Sequence, residues 1–211
     1  MTEQDNDVLQ AIDDALMLLP KKMRKPEQRH TILKNLLAIN LQEDPKRYGY
    51  QVVRRTEYTL EQNYIDNPKW AKGPARGVYQ FEQKGGVRGV MRHRATHSYA
   101  EDLAEELGVL YDEKAIWLAL EKNLVLASGF ARLLLWTDPK PLSDKPELAF
   151  ETYKRVWRPG AYTNGTLETR KQLQDKFYFN FDMAKELAYE FDQRLNETRE
   201  ARKADGREVQ I

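Results

Sequence analysis

The segment DEKAIWLALEKNLVLASGFARLLLW, residues 112–136, is the most apolar stretch of the chain and constrains its fold more than any other feature. Ile116, Leu120, Leu124, Ala127, Ala131 and Leu134 recur at helical spacing, so the segment reads as a central buried helix that the rest of the chain must surround. Its small residues Ala127, Ser128, Gly129 and Ala131 let another element approach closely. A chain of 211 residues with 41% hydrophobic content can bury one such core and does not call for two full domains.

Further helices follow from the same periodicity. Val8, Ile12, Ala15, Leu16 and Leu19 mark a first short one, ended by Pro20. From Pro26, a favourable first helical residue, a second places Ile32, Leu33, Leu36, Leu37, Ile39, Asn40 and Glu43 on or near one broad face before Pro45 stops it. HSYAEDLAEELG reads as a short helix closed by Gly108, and ELAFETYKRVW as one ended by Pro159-Gly160. From Leu167 to about Arg202 a charged helical pattern carries the stripe Leu173, Phe177, Phe181, Ala184, Leu187 and Phe191, and the polar end ARKADGREVQI is expected to fray. Residues 44–84 differ: Tyr, Val and Thr cluster in YGYQVVRRTEYTL, and Gly and Pro punctuate KWAKGPARGVYQF. The expected class is mainly α (α+β), a helical core with a small β or loop lobe at about 44–84. The expected organisation is one domain over 1–165 and a helical extension over 166–211, packed on that domain or on a partner.

Several function classes are disfavoured. Lys and Arg number 34 against 33 Asp and Glu, so net charge makes no case for specific nucleic-acid binding; such a role needs Arg76, Arg88, Arg92 and Arg94 on one face. The chain has no cysteine, which removes disulfides and thiol chemistry and fits synthesis in a reducing compartment. The acidic start MTEQDND is no signal peptide, and no apolar run approaches the roughly 20 residues of a membrane span. His93 and His97 lack a third ligand and an HExxH setting, and GGVRG lacks the ending of a phosphate-binding loop. Neither a metal nor a cofactor is expected.

Chemistry-bearing residues concentrate at three places. Glu43 sits four residues after Ile39 and seven after Leu36, which sets its carboxyl on the apolar side of a helix's last turn. Burial and the negative end of the helix dipole both raise a carboxyl pKa there, as a general acid requires; the plainer alternative is a Glu in water or paired with Arg47. The second place is the run from Gly73 to Glu82, whose glycines allow a tight turn and whose Tyr79 and Gln80 suit a sugar groove, against the alternative of an ordinary hairpin. The third is Tyr153 with Val156-Trp157-Arg158-Pro159-Gly160, an aromatic and cationic turn that is otherwise a cap packed on the core.

Taken in order, Gln42-Glu43, Ala75-Arg76-Gly77-Val78-Tyr79-Gln80, the helix ending LASGFARLLLW and Trp157-Arg158-Pro159-Gly160 resemble the lysozyme-like superfamily in its lytic transglycosylase type. The strings GPARGVYQFE and VWRPG also resemble a group of small tailed-phage and prophage proteins. The resemblance spans roughly residues 26–165 and implies a lysozyme-like fold and cleavage of peptidoglycan glycan strands. It implies Glu43 as catalytic acid, Ala75, Gly77, Tyr79, Gln80 and Glu82 along the sugar groove, and Tyr153 or Trp157 closing it. It further implies synthesis in a host cytoplasm, delivery by a holin, a virion or lysis, action in the virion or at the cell wall, and virion proteins as partners. A transglycosylase needs no second carboxylate; a hydrolase does, and Asp44, Glu57, Asp66 and Glu82 are open to that role.

The chain departs from the family pattern where Glu-Ser becomes Glu43-Asp44 and where the aromatic-Asn-Ala-Gly turn becomes Trp157-Arg158-Pro159-Gly160. The alternative reading is therefore a virion structural or ejection protein that keeps the fold without the chemistry. It predicts a blocked cleft, an exposed or salt-bridged Glu43, and an apolar assembly patch within 167–202.

Overall fold

A computed structural model describes residues 1–46 and 48–204. The fold is mainly helical with one small antiparallel sheet. Helix α1 (Glu3–Leu18) begins with a capping box, in which the Thr2 hydroxyl accepts from the Asp5 amide and the Asp5 carboxylate accepts from the Thr2 amide. After a 3₁₀ turn at Pro26–Gln28 comes α2 (Arg29–Glu43). The lobe expected at 44–84 is a three-stranded sheet of β1 (Tyr50–Arg54), β2 (Trp70–Arg76) and β3 (Phe81–Glu82), in that spatial order, with Val53 opposite Ala71 and Ala75 opposite Glu82. Then follow α3 (Arg88–Arg92), α4 (His97–Glu106), α5 (Glu113–Ala119), α6 (Leu124–Trp136), α7 (Pro146–Trp157), the short α8 (Gly160–Thr163) and α9 (Leu167–Ala204).

Two expectations are corrected. The segment 112–136 is not one helix but two, because each half has its own cap: the Asp112 carboxylate accepts from the amides of Lys114 and Ala115, and the Asn123 side chain accepts from the Leu126 amide. Of the two, α6 is the buried one, closed over from Leu126 to Leu135. The second correction concerns α2. Its apolar residues do not form one face; every residue from Ile32 to Gln42 is buried.

The reason is α9, whose Phe177, Phe181, Ala184, Leu187, Ala188 and Phe191 are buried in the same core as α1, α2 and α6. At roughly 1.5–3 kcal/mol for each large apolar side chain buried, these residues make α9 part of the body's core. Buried polar groups of α2 find partners accordingly. Lys34 pairs with Asp144 at 2.6 Å, the Asn35 amide donates to the Ser143 carbonyl, and the Gln42 side-chain oxygen accepts from Asn180 of α9 at 2.8 Å. Within the described residues no helix is long and apolar enough to cross a membrane. The expected fraying falls partly within α9, which runs to Ala204, and partly outside the described residues.

Candidate functional site

Glu43 ends α2 where the helix meets the sheet lobe. Its neighbours on both sides are committed to holding that junction. The amide of Asp44 donates to the Asn40 carbonyl, and the buried Asp44 carboxylate accepts from the amides of Tyr48 at 3.0 Å and Gly49 at 2.8 Å. Of the four carboxylates open to the role of second catalytic group, Asp44 thus fixes the turn into β1. Glu82 lines the cleft on one side of Glu43, Asp66 lines it on the other, and Glu57 is exposed and lines neither.

The run from Gly73 to Glu82 forms β2, a turn and β3. Gly77 takes φ +74°, and a Cβ there would lie 2.6 Å from the Leu120 carbonyl oxygen, so the turn docks against the break between α5 and α6 in a way that only glycine permits. The carbonyls of the turn are all engaged. Gly77 accepts from the Gln80 amide and side chain, Val78 from the buried Asn40 side chain at 2.8 Å, and Tyr79 from the Trp157 indole at 3.2 Å. Gln80 itself is held at φ +53°, a left-handed conformation that non-glycine residues seldom adopt. Three elements distant in sequence therefore converge to present the Gln80 side chain beside Glu43.

Around Glu43 the surface opens into two connected hollows. One, of about 520 Å³, is lined by Ala75, Gln80, Glu82, Tyr153, Trp157 and Lys176 among others. The second, of about 780 Å³, runs over the sheet lobe past Tyr48, Tyr50, Asp66 and Trp70. Glu43, Gln51 and Gln80 border both, so the two form one groove with Glu43 at its middle. The half of the groove over the lobe offers exposed aromatic faces: Tyr48 and Tyr50 stack with ring centres 6.0 Å apart, and Trp70 is exposed.

Glu43 is half-buried, and burial pushes its carboxyl up from 4.5 to about 7, against the opposing pull of the Tyr153 hydrogen bond and the Lys176 ammonium. The Tyr153 hydroxyl donates to Oε1 at 2.5 Å. Burial and the Glu43 charge together raise the Tyr153 phenol, so it remains a donor at all working pH values. Lys176 donates to the Gln42 carbonyl at 3.1 Å and contributes positive charge without an ion pair to Glu43. Among the described residues no ion pair forms at Glu43; Arg47, the partner considered from sequence, lies outside them. The site thus holds one carboxyl able to carry a proton near neutral pH, a fixed donor to its inner oxygen, and open groove on either side.

Not every sequence-predicted residue faces the groove. Glu43, Ala75, Gln80, Glu82, Tyr153 and Trp157 line it. Tyr79 does not: it is fully buried, so a sugar-binding role for its side chain is corrected to one in the core, while its carbonyl anchors Trp157. Gly77 lines neither hollow and acts through the turn. The basic residues also disperse. Arg76 is buried against Glu121 and the Trp117 ring, apart from Arg88 and Arg92, which both pair with Glu113. Sequence reasoning missed Lys176, Gln51 and the Tyr48, Tyr50 and Trp70 wall. The alternation of Tyr48 and Tyr50 at strand spacing carried a signal for the wall; nothing local in α9 marked Lys176.

No family model, curated protein or solved structure matches the chain.

Proposed function

We propose that this chain cleaves the glycan strands of peptidoglycan as a glycosidase of the lytic transglycosylase or lysozyme type, with Glu43 as its acid. The observation that carries the reading is a single carboxyl, raised to about 7, at the middle of a groove open on both sides. A polymer can lie across such a groove with the bond to be broken over the acid. Glu43 then gives its proton to the glycosidic oxygen, the bond from that oxygen to the anomeric carbon breaks, and the sugar's own 6-hydroxyl closes on that carbon while returning its proton to Glu43. Tyr153 and Lys176 stabilise the carboxylate that exists between the two transfers. The transglycosylase form is favoured because this step needs no second carboxylate. The hydrolytic form draws on Glu82 or Asp66, the groove-lining acids other than the engaged Asp44.

The non-catalytic alternative is less well supported. Its assembly patch would have to come from Leu167, Phe179 and Tyr189, the large exposed apolar residues of α9. They stand 10 to 12 positions apart, about 15–18 Å along the helix axis, too far to make a continuous patch. The reading of the groove is tested by incubating purified protein and a Glu43→Gln variant with peptidoglycan sacculi and weighing the released muropeptides. Anhydro-muramyl ends released only by the wild type are expected. Reducing ends would assign a muramidase instead, and no release by a folded wild-type protein would leave the alternative as the better account.

A further inference from the structure

The other buried basic side chains have counter-charges close by: Lys34 has Asp144 and Arg76 has Glu121. Arg132 of α6 is the exception. Its side chain is only 4% exposed, and among the described residues no carboxylate lies within ion-pair distance of it. Its Nε donates to the Met23 carbonyl at 2.9 Å, and one face of the guanidinium lies over the Trp136 ring at 5.1 Å. Neither terminal nitrogen makes a hydrogen bond among the described residues, and the side chain lines a separate hollow of about 400 Å³. A guanidinium so largely buried and without a counter-charge gains from an anion that reaches its terminal nitrogens through the hollow.

The surroundings of the hollow suit that role. Lys25 and Lys140, both exposed, stand at its edge, and Trp136, Pro139 and Leu142 give it apolar walls. The one acid present, Asp138, is already neutralised: its Oδ2 accepts twice from Arg155, at 2.6 and 3.0 Å, and its Oδ1 accepts from the Lys140 amide. None of these residues lines the Glu43 groove. From this we infer that the hollow at Arg132 is an oxyanion site, taking the phosphate or carboxylate group of a small ligand on the two terminal nitrogens of Arg132, with Lys25 and Lys140 drawing it in. A planar guanidinium with both terminal nitrogens available meets two oxygens of such a group at once. Burial alone draws the Arg132 pKa down to about 10, the direction a bound anion would reverse.

The test is thermal unfolding of the full chain in sodium phosphate and in sodium acetate, each compared with sodium chloride at equal ionic strength. At 10 mM anion, phosphate or acetate is expected to raise the wild-type Tm by at least about 2 °C more than chloride does. The larger of the two shifts tells a phosphate-bearing ligand from a carboxylate-bearing one. Arg132→Met should abolish the shift. Lys140→Ala, which alters only an exposed side chain and leaves Arg132 in place, should at least halve it, and this keeps the test decisive should Arg132→Met fail to fold. No excess shift with either anion, or an equal shift in wild type and Lys140→Ala, would overturn the assignment.

Discussion

Replacing Glu43 by Gln removes a titration and leaves the shape of the groove intact, so it measures how far the fold perturbs this carboxyl. In the folded chain the Glu43 pKa is raised from 4.5 to about 7, so between those values the folded state holds a proton that the unfolded chain has released. Stability tied to that proton is complete below about pH 4.5 and is lost as pH rises through 7. At 1.36 kcal/mol per pKa unit the loss approaches about 3 kcal/mol, a ceiling because the groove admits water. For a chain of this size the unfolding entropy is about 0.4 kcal/mol per kelvin, which turns the loss into about 7 °C of Tm. The assay is thermal unfolding of wild type and Glu43→Gln at pH 4 and pH 8.5, followed by circular dichroism. Other titrating groups are common to both proteins and cancel in the difference. Glu43→Gln should gain on the wild type by up to about 7 °C between the two pH values. A difference that stays constant across that range would refute the burial argument, and with it the reason for assigning Glu43 as an acid near neutral pH.

Two further outcomes follow from the same geometry. Tyr153→Phe removes the hydrogen bond that lowers the Glu43 pKa, so the alkaline limb of the pH–rate profile on sacculi should move up by about one pH unit, while the rate at pH 6 falls roughly tenfold; an unmoved limb would dismiss Tyr153 as the positioning residue. Gly77→Ala puts a Cβ at φ +74° against the Leu120 carbonyl and should cost at least about 2 kcal/mol in urea unfolding, whereas an unchanged midpoint would mean that the turn at Gln80 is not held by this docking.

The sequence by itself determined α1, α2, α4, α7 and α9, because their signals are local: apolar spacing, Pro20, Pro26, Pro45 and Pro159 or Gly108 at a start or stop, and the switch to Tyr, Val and Gly in the lobe at 44–84. It also placed Glu43 at the close of α2; the grouping of Gly77, Gln80, Tyr153 and Trp157 came from the resemblance and not from any local signal. Where two caps lay inside a single apolar register, at Asp112 and Asn123, periodicity alone joined what the backbone separates. What only the tertiary structure decided depends on contacts far apart in the chain. Lys34 is buried against Phe181 and Gln42 against Asn180, both of α9 and more than a hundred residues away along the chain, while Asn35 is held by the Ser143 carbonyl before α7. Tyr79 turns inward and Gln80 outward because Asn40 and Trp157 pin the carbonyls between Gly77 and Gln80. The raised Glu43 pKa likewise comes from desolvation by elements packed around it, and the positive charge that opposes it comes from Lys176. Local spacing can say that a carboxyl stands on an apolar face; only the packed chain sets how much water and which charges it meets there, since desolvation and Coulomb terms depend on distance in space and not along the chain.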